Sequence, residues 1–259
     1  MNQLSDPIAV FDSGMGGISV LKEMTKLMPD EDFIYFGDSR HAPYGTKTLE
    51  EVRRLTIEHI TWLIKEKHAK AVAVACNTAT SAAVRILRGM YPELPLVGVE
   101  PAIKPAVLSC KHARVLVMAT PMTLREEKFQ KLESLYDAQA DIYPLPCPGL
   151  MEFVEQGILS GEKLEGFLHA LLDPFQGKHI TGIVLGCTHY PFLKETIQKI
   201  AGPSVTIFDG GLGTAKELLR RIREADLKQP DPSYKGTVTF LNSSDDPALI
   251  QRSKQLYKK

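Results

Sequence analysis

Two cysteines of the chain stand in matching contexts. The first runs Val72-Ala-Val-Ala-Cys76-Asn-Thr78-Ala-Thr80 and the second Ile183-Val-Leu-Gly-Cys187-Thr-His189-Tyr-Pro191. Each is a short apolar run, a small residue, a cysteine, then hydroxyl or amide side chains ahead of a predicted helix. A thiol so placed lies near helix N-terminal amides, which favour a thiolate. A free thiol titrates near about 8.5, so modest help makes it a useful base close to neutrality. Two such thiols facing one another across a substrate could remove a proton from one side of a carbon and supply it from the other. The bland alternative is a pair of buried structural cysteines, the default for a lone cysteine after an apolar strand.

Other groups could serve the same chemistry. Asp12-Ser13-Gly-Met-Gly-Gly17 follows an apolar run and precedes a helical pattern. Glycines there free backbone amides at a helix N-terminus, a seat for an anion. The spacing departs from Gly-x-Gly-x-x-Gly, because Ser19 stands three residues after Gly16, which disfavours a dinucleotide site. A carboxylate ligand needs less room, and Asp12 could receive an ammonium. A tight strand-to-helix turn alone would explain the glycines but not the Asp-Ser pair. In the loop Gly37-Asp-Ser-Arg-His-Ala-Pro43-Tyr-Gly45, Tyr44 and Gly45 could donate to a substrate carboxylate, although such loops are often plain surface connections. His189 could polarise or protonate Cys187, or simply cap the next helix. Glu155 and Glu152 are competing acids on one short helical segment. Cys187 and His189 could also be two zinc ligands, but a spacing of one residue on an extended strand end chelates poorly and further ligands are not evident. No metal is therefore expected. Cys110 and Cys147 lack the repeated context and read as structural.

These groups need elements that bring them together. Apolar runs at 8–11, 33–36, 71–75, 96–99, 114–118, 140–145, 182–185 and 205–208 alternate with helical patterns at 17–28, 48–67, 79–90, 122–135, 150–156, 161–173, 191–200 and 213–225. Such alternation predicts βαβ units and mainly parallel sheet. Both cysteines then fall at strand C-terminal ends, where open α/β sheets bind ligands. The register also repeats. The runs at Ile8 and Val115, the two cysteines, and the strand ends Glu100 and Asp209 are offset by 107, 111 and 109 residues. One such pair could be chance; three in order favour a duplicated domain. The expected fold class is α/β, with two pseudo-twofold-related domains of mainly parallel sheet and the active site in the interdomain cleft. The first domain takes residues 1–97 plus 209–259, and the second 98–208. Gln229–Ser233 reads as a loop, 235–241 as a last strand and 246–257 as a C-terminal helix.

Bulk composition narrows the partners. The 259 residues are 44% hydrophobic and 24% charged, ordinary for a globular protein. The 31 basic and 31 acidic residues cancel, so nothing predicts attraction to nucleic acid or an anionic membrane. No signal sequence or membrane-length apolar run is visible. Four cysteines without Cys-x-x-Cys spacing point to a reduced, cytoplasmic protein.

The phrases FDSGMGG at 11–17, GDSRHAPYG at 37–45, ACNTAT at 75–80, GVEPAIKPA at 98–106 and LGCTHYPFL at 185–193 together resemble the cofactor-independent aspartate/glutamate racemases. The likeness spans most of residues 8–209, in order. It implies two α/β domains with the active site between them, and Cys76 and Cys187 as the acid/base pair, Cys76 acting on the D-enantiomer and Cys187 on the L-enantiomer. By the same resemblance Asp12, Ser13, Tyr44, Gly45, Asn77, Thr78, Thr188 and His189 bind substrate or support the thiols, Glu155 assists on the second side, and Thr120 is a weaker candidate for the substrate carboxylate. It further implies conversion of L-glutamate to D-glutamate for peptidoglycan precursors, no cofactor, and a homodimer. An aspartate-specific relative and a non-catalytic amino-acid-binding protein are the alternatives, although a binder has no need of two thiols.

Overall fold

The computed structural model describes residues 4–136, 138–229, 231 and 233–259. The chain divides into two compact units, one running to Val99 and resuming over Gly211–Lys259, the other Glu100–Gly210. The first unit opens with β1 (Ile8–Asp12), α1 (Ile18–Leu27), β2 (Phe33–Gly37), α2 (Leu49–Glu66), β3 (Ala71–Val74), α3 (Asn77–Met90) and β4 (Leu96–Gly98). The second holds α4 (Ile103–Val107), β5 (Ala113–Ala119), α5 (Pro121–Arg125), α6 (Glu127–Ser134), β6 (Ala140–Pro146), α7 (Leu150–Glu155), α8 (Glu162–Leu172), β7 (Gly182–Leu185), α9 (Lys194–Ala201) and β8 (Thr206–Asp209). The first unit is completed by α10 (Gly211–Glu224), β9 (Val238–Asn242) and α11 (Pro247–Lys258).

Each unit has one wholly parallel sheet, in the orders β4-β3-β1-β2-β9 and β6-β5-β7-β8. With β9 set aside, the two orders follow one plan. The first strand of each unit is central, the second lies on one side of it, and the third and fourth lie on the other. The repeated offsets in the sequence are thus repeated topology. All residues of β1, β3 and β7 are buried, because helices cover both faces of a parallel sheet. The edge strands β9 and β6 are largely part-exposed.

Local signals explain most boundaries. Thr48 caps α2 by accepting from the Glu51 amide, and Asp246 caps α11 ahead of Pro247. Two elements depart from the periodicity. The single helix expected over 122–135 breaks at Glu126, whose backbone is extended (φ −68°, ψ 137°), giving α5 and α6. The five-residue α4 is too short to show a period; it forms because Ile103, Ala106 and Val107 pack with Val115, Val117 and Val184 of β5 and β7. The loop expected over 229–233 includes Pro230 and Pro232, which lie outside the described residues. No helix among the described residues is long and apolar enough to cross a membrane.

Candidate active site

In the first unit, β1 and β3 are parallel neighbours, with Phe11 opposite Val74. The Ala75 amide extends the pairing by donating to the Phe11 carbonyl at 2.7 Å. The two chains therefore leave the sheet side by side, Asp12-Ser13 from one and Cys76-Asn77 from the other. Gly17 permits this closeness, since a Cβ there would stand 2.7 Å from Asp12 Cβ and 2.9 Å from Ala75 Cβ. Asp12 is fully buried and its Oδ1 accepts from the Gly14 amide at 2.7 Å. Cys76 is the N-cap of α3, its Sγ accepting from the Ala79 amide at 3.5 Å. Ser13 Oγ lies 3.4 Å from the same sulfur. Negative charge on that sulfur would meet two donors. Asn77 and Thr78 are buried beside it, and Asn77 Nδ2 is a buried donor with no hydrogen-bond partner. Burying an unsatisfied amide costs about 1–3 kcal/mol, a cost that a ligand acceptor would remove.

The second unit repeats the placement with different partners. Met118 of β5 lies opposite Leu185 of β7, and Gly186 continues the ladder by donating to the Met118 carbonyl at 2.7 Å. Cys187, Thr188 and His189 follow, all buried. The helix expected from 191 begins instead as a 3-10 turn over Tyr190–Leu193, with Pro191 in its first turn, before α9. Cys187 therefore caps no α-helix; its Sγ lies 3.6 Å from His189 Nδ1. His189 Nε2 is 2.7 Å from Glu155 Oε1, at the C-terminal end of α7. Burial alone would lower the imidazole pKa, but hydrogen bonds and charge from Cys187 and Glu155 overcome it and hold His189 well above its usual value. Glu155, rather than Glu152, thus reaches the histidine; Glu152 Oε2 is buried with no hydrogen-bond partner. Nearby, burial first and the charge of Cys187 second push the Cys147 thiol up to about 12, and it donates to the Leu145 carbonyl, in keeping with a structural thiol. Thr120 occupies the strand end corresponding to Ser13, and its hydroxyl caps α5 by accepting from the Thr123 amide at 3.2 Å.

Tyr44 and Gly45 lie in a 3-10 turn after the cis Ala42–Pro43 peptide. The Tyr44 hydroxyl donates to Asp38 Oδ2 at 2.6 Å. Burial and that bond raise its pKa far above the usual value, so it remains a neutral donor. Asp38 is fully buried. Burial alone would raise its carboxyl pKa, but His59, Ser243, Tyr44 and His41 around it hold it well below the usual carboxylate range. Asp38, His41 and His59 were not singled out from the sequence. The first two lay in a loop noted only for Tyr44 and Gly45, and His59 sits mid-helix, 21 residues beyond Asp38.

Comparisons with known proteins bear on the family. The family model for Asp/Glu/hydantoin racemases matches residues 13–218. A glutamate racemase of Clostridium botulinum (strain Alaska E43 / Type E3) is 49% identical over 256 residues, covering 99% of this chain and 98% of that protein. The structure of Francisella tularensis glutamate racemase with D-glutamate superposes with a TM-score of 0.85 at 30% identity, covering 99% of this chain and 95% of that one. Escherichia coli glutamate racemase, solved with L-glutamate and the activator UDP-MurNAc-ala, gives 0.85 at 27% identity, covering 97% and 95%. The chain belongs to the Asp/Glu/hydantoin racemase family.

Proposed function

We propose that the chain is a glutamate racemase, interconverting L- and D-glutamate with Cys76 and Cys187 as opposed bases. The observation that carries this reading is that each unit has, two residues beyond its third strand, a buried cysteine with its own polar partners. Ser13 and the Ala79 amide meet Cys76; His189, backed by Glu155, meets Cys187. The identity to glutamate racemases across nearly the whole chain supports glutamate as the substrate.

The Cα proton of an amino acid is very weakly acidic, so its removal needs a base held at contact and fixed donors for the charge that develops toward the carboxylate. In this reading Cys187 takes the proton from L-glutamate while Cys76, as thiol, delivers one to the opposite face. The reverse direction exchanges the two states. Glu155 holds the His189 ring so that Nδ1 faces Cys187, where it stabilises the thiolate and can return a proton. Ser13 and the α3 amide do the corresponding work at Cys76. Asn77 offers its unused amide to the substrate carboxylate, assisted by Thr78 and Thr188. Tyr44 and Gly45 present the turn that Asp38 anchors, Asp12 receives the ammonium, and Thr120 contributes only if its cap loosens. The thiol pair is chemically sufficient, so the reading requires no cofactor or metal. D-glutamate so formed would serve peptidoglycan precursors in the cytoplasm, in line with the muramic-acid nucleotide bound by the Escherichia coli relative.

Circular dichroism of L-glutamate incubated with the purified, reduced protein, in parallel with L-aspartate, tests the proposal. Decay of the glutamate signal to zero without added cofactor is the expected result. Decay for aspartate alone would move the substrate, and no decay for either would overturn the activity.

A further inference from the structure

Asp38, His41 and His59 bring one carboxylate and two imidazoles together. Asp38 follows β2, His41 closes the 3-10 turn Ser39–His41, and His59 comes from the middle of α2. His41 Nδ1 lies 2.8 and 3.0 Å from the two Asp38 oxygens, and His59 Nε2 lies 3.1 Å from Oδ2. One donor atom from each of the three residues falls within 4.8 Å of the others.

Several features distinguish this group from an ordinary hydrogen-bonded carboxylate. Two imidazole nitrogens and a carboxylate oxygen form a donor set that suits zinc and its neighbours. A tetrahedral ion with bonds of about 2.0–2.1 Å holds its ligand atoms about 3.3 Å apart, so the distances from Asp38 to His41 and to His59 need to open by only a few tenths of an ångström, while the two imidazole nitrogens already lie within 4.8 Å of each other. His59 Nε2 is buried and stands 3.1 Å from Asp38 Oδ2, close enough to stabilise the carboxylate but too poorly aligned to satisfy the nitrogen as a hydrogen bond. The ring is also held in place, packed against Phe36 with centroids 5.0 Å apart and against Phe11 at 5.9 Å.

We propose that Asp38, His41 and His59 form a binding site for a divalent transition ion of the zinc type, with the remaining coordination positions left to water or a small ligand. No metal is expected from the sequence, where only Cys187 and His189 suggest ligands, so this site is new to the structure. An ion there would draw on the same Oδ2 that accepts from Tyr44, and would weaken substrate binding by loosening the Tyr44–Gly45 turn. That consequence rests on the racemase reading; ion binding itself does not.

The test titrates the full-length reduced protein with Co²⁺, followed by absorption, and with Zn²⁺ by calorimetry, for the wild type, His41→Gln and His59→Gln. The expected result is one ion per chain, visible d–d bands without a near-ultraviolet thiolate charge-transfer band, and at least a tenfold loss of affinity in each variant. No binding, a spectrum dominated by thiolate, or equal affinity in wild type and His41→Gln would overturn the site. If His59→Gln fails to fold, the part-exposed His41 carries the comparison alone. A rise in KM for glutamate with Zn²⁺ in the wild type but not in His41→Gln supports the consequence; an inactive protein that still binds the ion would sink the racemase reading and leave the site standing.

Discussion

His189 bridges Glu155 and Cys187: Nε2 stands 2.7 Å from the Glu155 carboxylate, and Nδ1 stands 3.6 Å from the sulfur. The two contacts use both ring nitrogens and bring together residues 34 and 2 positions from the histidine. A buried imidazole with an anion at one nitrogen and a sulfur at the other is favoured in its doubly protonated form.

His189 should therefore carry both protons at pH 7. Its folded pKa lies well above the usual value, so its contribution to stability is complete below about pH 6.5 and fades as pH rises through the folded pKa. Ring nitrogen NMR shifts should show an imidazolium at neutrality, and Glu155→Gln should move the titration downward. The same variant should slow turnover about tenfold, the equivalent of one hydrogen bond of about 1.4 kcal/mol. A neutral His189 at pH 7 in the wild type would contradict the bridge.

Asn77→Ala should separate binding from stability. The Asn77 amide is buried without a partner, so its removal relieves an unsatisfied donor in the free protein. Urea unfolding should give a stability equal to or above the wild type, while KM for glutamate rises about tenfold. A loss of more than about 1 kcal/mol with KM unchanged would make the residue structural.

Asp38→Asn addresses the anchored loop. Because the Asp38 carboxyl is held well below the usual range in the folded protein, its contribution is present above about pH 4 and is lost as pH falls toward the folded pKa. The variant should be about 2 kcal/mol less stable at pH 7, with the gap narrowing below about pH 4. An equal gap at pH 7 and pH 3 in denaturant titrations would show that the charge plays no part.

Much of this arrangement was legible in the sequence, and the rest was hidden for physical reasons. Apolar runs ending in a small residue and a cysteine marked the ends of β3 and β7, and the repeated offsets marked a strand order used twice. Glu155 and Glu152 could not be separated, because residues three apart share one helix face; only the packing of α7 near His189 chooses between them. His59 looks like any histidine beside the apolar Ile60, and its approach to Asp38 depends on how α2 lies over β2. Thr120 was expected only as a candidate for the substrate carboxylate, although Thr120-Pro121 also carries a helix-start signal that agrees with the capping role of its hydroxyl.

Replacing either thiol should be severe. Cys76→Ala and Cys187→Ala should each lower racemisation by about 10²–10⁴-fold, the usual worth of a positioned acid or base, with the far-ultraviolet spectrum unchanged. Near-normal turnover in either variant would remove that cysteine from the mechanism.

The most direct test of two opposed bases is the fate of the Cα hydrogen in heavy water. L-glutamate is incubated with the protein, and both enantiomers are separated and analysed by mass spectrometry early in the reaction, then the experiment is repeated from D-glutamate. With one thiol on each face, the product enantiomer should carry solvent deuterium while the remaining substrate keeps its protium, from both directions. Deuterium appearing in the unreacted substrate as fast as in the product would mean a single shared base, and would contradict the assignment of Cys76 and Cys187.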